Sequence, residues 1–143
     1  MLYRSFKLTN VLIKIENPES RPLTYRKLKI TDDEAITQYY KAITEGEDAK
    51  SALTSAMSTL KMGEDAEIPL SSLSDATGMI MLTIRDRAIH PTLIIFNCKS
   101  LKQLNLQLAL TQILQEDISL SLGLEPNMIV AFTPKIRLDQ SEV

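Results

Sequence analysis

The sequence has no tryptophan, one cysteine and one histidine, and its four glycines stand singly. Each scarcity closes off a class of chemistry. With Cys98 alone, no disulfide can form within the chain, which fits a cytoplasmic setting. His90 has no cysteine, histidine or carboxylate cluster around it at ligand spacing, so neither a metal site nor a cofactor is expected. Isolated glycines cannot build a phosphate-cradling loop. Aromatic residues make up 5% of the chain, too few for a base-stacking platform. No apolar run approaches the ~18 residues that cross a bilayer, so no membrane association is expected. Met1-Leu2-Tyr3-Arg4 lacks a charged n-region followed by an apolar h-region, so no signal peptide is expected. A net charge of −2 sets up no field that would gather nucleic acid. What remains is 143 residues, 44% of them apolar, enough for one domain with its own core.

Phe6–Ile15 has strand character, with Val11, Ile13 and Ile15 on one face. Asn17-Pro18-Glu19-Ser20 is a turn. The extended stretch that follows is basic, and Arg21, Arg26, Lys27 and Lys29 make it either a solvated strand face or an anion-binding edge. Thr31-Asp32-Asp33-Glu34 is a capping box that starts a helix ending near Gly46. Ala49, Leu53, Ala56, Met57 and Leu60 place a second helix over Asp48–Lys61. Glu67–Leu73 is a short strand and Ser71–Gly78 a polar loop.

The central stretch comes next. Gly78–Ile84 and Ile89–Phe96 are apolar strands around a turn at Arg85-Asp86-Arg87-Ala88. Pro91 cannot donate a ladder bond, which predicts an edge or a bulge. Leu104, Leu106, Leu108 and Leu110 alternate as in a strand, yet Leu110, Ile113, Leu114 and Ile118 have helical spacing. The segment is too long for one strand, and Gly123 before Pro126 is a helix stop, so Leu101–Leu122 is assigned as a helix. Met128–Phe132 is a last strand. These elements predict one α+β domain: a mixed or antiparallel sheet with helices, including Leu101–Leu122, on one face.

From about Met79 to Asp139 the order strand, hairpin, strand, long helix, strand resembles thymidylate synthase and the phage deoxycytidylate hydroxymethylases. The opening NVLIKIENPESRPLTYRKLKITDDEAITQYYKAITEG is similar to the family's first strand, Asn-Pro turn and following helix. The resemblance implies a chain without the family's middle section and C-terminal segment. It also implies that the residues of the site are replaced. The family's cysteine nucleophile falls on Ala76, and the histidine often beside it on Thr77. The arginine and serine that hold the substrate phosphate fall on Phe96 and Asn97, and the following aspartate on Lys99. The asparagine that reads the pyrimidine falls on Gln107; the ribose-binding histidine and tyrosine fall on Arg137 and Asp139. In KMGEDAEIPLSSL, Glu64 and Asp65 stand where a pair of arginines reaches across the family's dimer. Alanine cannot attack a ring, and two carboxylates repel a phosphate.

The resulting expectation is a pseudoenzyme, with catalytic chemistry lost, that acts as a homodimeric interaction, structural or regulatory module paired through its sheet face. A phage source, and so a host cytoplasm, fits the sister enzymes. One alternative is a subunit of a larger assembly that includes an active synthase or hydroxymethylase. Another is a nucleotide or nucleic-acid binder using the basic residues of 21–29 together with Arg85 and Arg87. Cys98 is expected to be a buried structural thiol. Glu116 and Asp117, adjacent on a helix, point apart and form no acid–base pair.

Overall fold

A computed structural model describes residues 5–16 and 32–139. In chain order the elements are β1 (Ser5–Ile15), α1 (Asp32–Glu45), α2 (Glu47–Lys61), β2 (Ala66–Pro69), a 3₁₀ turn (Leu70–Ser72), β3 (Gly78–Arg85), β4 (Ala88–Ile95), α3 (Leu101–Leu122), β5 (Glu125–Pro126) and β6 (Ile129–Asp139). The expected α+β layout is present. The sheet order is β1-β6-β4-β3-β2, with the two-residue β5 also on β4. β4 runs parallel to β5 and β6, and the remaining pairs are antiparallel. The turn at 17–20, the basic stretch 21–29 and the cap residue Thr31 lie outside the described residues.

Strand alternation sorts the sheet into two faces. Ile68, Ile80, Leu82, Ile89, Leu93, Ile95 and Ala131 point into one core with Tyr39 of α1, Ala56 and Leu60 of α2, and Leu108, Leu114 and Ile118 of α3. Among the described residues the opposite face carries no helix. There the register lines up Leu12, Phe132, Ile94 and Met79 in one row across β1, β6, β4 and β3. These side chains are exposed or half-buried, Leu12 at 58%.

The helix α3 spans Leu101–Leu122 as its spacing predicts, and ends on Gly123 at φ 67°. The strand-like leucine alternation does not produce a strand because the helix is buried on nearly every side, so leucines serve on several faces. Two of its buried polar side chains bond to backbone carbonyls, whereas Ser119 Oγ and Gln107 Nε2 find no hydrogen-bond partner among the described residues. Thr111 Oγ1 donates to the Gln107 carbonyl at 2.8 Å. Gln115 Nε2 donates to the carbonyls of Ile89 (3.2 Å) and Asn127 (2.7 Å), tying α3 to β4 and to the β5–β6 link.

Two local expectations change. The strand predicted at Glu67–Leu73 stops at Pro69, where the chain turns into 3₁₀ geometry and the Ser72 hydroxyl bonds back to the Pro69 carbonyl at 2.6 Å. Pro91 is neither at an edge nor in a bulge: β4 is an interior strand, and Pro91 stands in register opposite Leu82. It is tolerated because β5 pairs with residues 88–89 and β6 only with 92–94, so no ladder partner faces residue 91 on that side. The β3–β4 hairpin closes through Asp86 (φ 53°) and Arg87 (φ 61°), the left-handed pair of a two-residue turn whose twist suits the strands.

Candidate functional site

One end of the sheet collects most of the positions that the resemblance singles out. The loop 73–77 enters β3 there, and residues 96–100 leave β4. The two are joined by the Phe96 N–H, which donates to the Thr77 carbonyl at 3.0 Å. Beyond it Cys98 makes a parallel bridge to Ile136 of β6. The Cys98 N–H donates to the Lys135 carbonyl at 3.3 Å, and the Arg137 N–H to the Cys98 carbonyl at 3.1 Å. Ser100 then caps α3: its Oγ accepts from Gln103 N at 3.0 Å, while Gln103 Oε1 accepts from Lys99 N at 2.8 Å. This is a capping box with the return bond shifted one residue toward the N-terminus.

Ala76 is buried, at 3% exposure, and offers no nucleophile. Thr77, Phe96, Asn97 and Lys99 are exposed beside it. Asn97, Cys98, Lys99, Lys135 and Arg137 line a depression of about 350 Å³. Among the described residues no carboxylate pairs with Lys99, Lys135 or Arg137; the ion pair that forms joins Lys102 to Glu34. Gln107 does not reach the depression's lining. It is fully buried; its Oε1 accepts from Ser74 Oγ at 3.0 Å, and that hydroxyl oxygen accepts from Ala76 N at 3.2 Å. Gln107 therefore braces the loop that carries Ala76. Cys98 is buried as expected, its thiol donating to the Ser100 carbonyl at 3.3 Å.

Glu64 and Asp65 are not part of this cluster within one chain. They precede Ala66, which pairs with Leu82 near the hairpin, whereas Gly78 pairs with Ile95 at the clustered end. Leu82 lies four residues along β3 from Gly78, about 13 Å at ~3.3 Å per residue. Arg85 and Arg87 are exposed at the same far end. Asp139 pairs with Ser5 at the end of β6. Arg21, Arg26, Lys27 and Lys29 lie outside the described residues. His90 is half-exposed on the helix-free face, and no group of metal-ligating side chains forms among the described residues.

Sequence reasoning overlooked two features. Lys135 stands two residues before Arg137, a strand spacing that places both on one face; that signal was available. Tyr39 is fully buried and donates to Asp117 Oδ2 at 2.7 Å, joining α1 to α3. Burial pushes the phenol pKa far up, and the Asp117 carboxylate adds to the shift. Helical spacing alone cannot reveal that partner, 78 residues away.

A mixed sheet with its described helices on one side, one of them long and buried, defines a thymidylate-synthase-like fold. No protein-family model matches the sequence, and no curated protein matches it. The fold does find a counterpart: the crystal structure of thymidylate synthase from T4 phage superposes with a TM-score of 0.66, covering 97% of this chain and 69% of that one. Identity is 8%, so the likeness is one of fold. No helix among the described residues is long and apolar enough to cross a membrane.

Proposed function

We propose that this chain is a non-catalytic relative of thymidylate synthase that works as a homodimeric interaction module, encoded by a phage and acting in the host cytoplasm. The observation that carries the proposal is the helix-free sheet face, where Leu12, Phe132, Ile94 and Met79 form an apolar row from β1 to β3. Met81 and Phe96, at 37% and 48% exposure, extend it. Contiguous apolar surface of this kind marks an interaction site. A second copy of the chain is the occupant argued for, because a sheet face can pair with itself about a two-fold axis. Loss of the parent reaction is supported by Ala76, which has no leaving proton or lone pair for attack, and by Phe96 in place of a phosphate-binding arginine.

Sedimentation at micromolar concentration tests this reading. The full chain should run at twice its 16.1 kDa mass. A variant with Leu12→Glu and Phe132→Glu should run as a monomer, since two carboxylates would be buried unpaired in the interface. A wild-type monomer would overturn the homodimer and favour the second reading, in which the same face pairs with a different subunit of a larger assembly.

A further inference from the structure

The helix-free face of the sheet carries opposite charges at two diagonal corners. Ile136 is buried in the core, so Lys135 and Arg137 on either side of it turn to the helix-free face. Ala66 and Ile68 are buried too, which turns Glu67 to that face, with Asp65 two residues before it. All four charged side chains are exposed, and none forms an ion pair among the described residues. The acids belong to β2 and the bases to β6, three strand spacings apart. Glu67 is level with Met81, Thr92 and Val130. Lys135 and Arg137 lie further along β6, on either side of the Cys98–Ile136 bridge. At ~3.3 Å per residue and ~4.8 Å per strand, the two corners are about 25 Å apart. Their midpoint falls between β3 and β4, beside Met79 and Ile94, which stand in register within the apolar row. A two-fold axis lying in the face at that point, square to the diagonal, carries each corner onto the other. It sets acids over bases twice, with the apolar row between the two places. An axis along the diagonal would set like charges over like, which repel.

We infer that this face pairs with a second copy of the chain in that one orientation, Asp65 and Glu67 meeting Lys135 and Arg137 of the partner subunit at two equivalent places. The inference rests on the homodimer reading and adds the residues that select one two-fold pairing among those an apolar face allows. Charges at the rim of an interface fix register and partner choice more than they add affinity, so the apolar row supplies the adhesion and the corners the geometry. The depression beside the Cys98 bridge then receives its counter-charge from the partner subunit, which explains why none is supplied by the described residues of its own chain.

Sedimentation equilibrium of charge-reversed variants of the full chain at low salt tests it. Asp65→Lys with Glu67→Lys brings like charges together at both places and should raise the dimer Kd by about tenfold or more. Lys135→Glu with Arg137→Glu should do the same. All four substitutions together exchange the signs without changing the net charge, and should return the Kd to within about threefold of the wild type. Lys50→Glu with Lys61→Glu, on the surface of α2 away from this face, is the control and should leave the Kd unchanged. Every substituted residue is exposed, so circular dichroism should show the fold retained. A wild-type monomer would remove the homodimer reading and this inference with it. A wild-type dimer whose Kd ignores the reversals, or that the combined exchange fails to restore, would overturn the orientation alone.

Discussion

Truncating Leu114 to alanine probes whether α3 is the centre of the core. Leu114 is 1% exposed and belongs to the same cluster as Ile80, Leu93 and Tyr39. Its neighbours come from a sheet on one side and helices on the other, both held by their own hydrogen bonds, so the site cannot collapse freely. Leu→Ala at such positions costs ~2–5 kcal/mol, the transfer term plus the cavity. At ~2.1 cal/mol/K per residue, 143 residues unfold with an entropy of roughly 0.3 kcal/mol/K, so the melting temperature should fall by about 7–17 °C. Urea denaturation followed by circular dichroism gives the same quantity at fixed temperature. Both are run at one protein concentration, because a dimer of the proposed kind would make stability depend on it. Leu120→Ala, on the 86% exposed residue of the same helix, is the control and should cost under ~0.5 kcal/mol. A loss below ~1 kcal/mol for Leu114→Ala, or equal losses for the two variants, would mean the helix is not packed as described.

Gly78→Ala should be among the most damaging single changes, because the added Cβ would overlap the Ile94 carbonyl oxygen and come within 2.8 Å of Leu70 Cδ1; soluble yield and denaturation midpoint report it. Tyr39→Phe removes the bond to Asp117 and should cost ~1–3 kcal/mol near pH 8. Because the folded phenol's pKa is raised, its contribution is complete below the unfolded value of about 10 and is lost as pH rises above it, so the stability gap between wild type and Tyr39→Phe should close in alkaline urea titrations. A gap that widens instead would contradict the pairing. Deoxyuridylate and deoxycytidylate should leave the melt unchanged relative to an equal concentration of inorganic phosphate, because Ala76 and Phe96 supply none of the expected chemistry. A live site holding ligand at 100 times its Kd would add ~2.7 kcal/mol, several degrees.

The fold was legible where a pattern repeats. The alternation of Val11, Ile13 and Ile15, the helical spacing in α2 and the Gly123 stop each depend on local chain geometry, and each element formed. At Pro91 one missing N–H suggests an edge or a bulge, whereas the pairing gap between β5 and β6 that accommodates it is set by residues 125–132. The site was partly legible. A strand and the loop before it could be matched to Ala76, Phe96 and Lys99, but Gln107 turned inward to Ser74, a partner 33 residues away that no spacing encodes. The basic depression needed the Cys98–Ile136 bridge to become one site.

The distribution of burial gives a physical reason why this fold constrains its core more than the end of its sheet. Phe96, Asn97, Lys99 and Arg137 are exposed, at strand ends beyond the core. Substitutions at such positions usually change stability by no more than ~0.5 kcal/mol, so their identities are nearly independent of folding. The core positions are constrained differently: Ile80, Leu82, Leu93 and Leu114 must stay apolar and keep their volume, but any side chain of the right shape serves. A sheet and helix can therefore be superposable at 8% identity. Ala76 and Gln107 are the two buried exceptions, and both fit the local packing. The small Ala76 side chain fits the packed loop, and Ser74 gives Gln107 a hydrogen bond that holds that loop in place. Replacing Gln107 should then loosen residues 73–77 instead of changing affinity for a pyrimidine, which separates a brace from a reader of the ring.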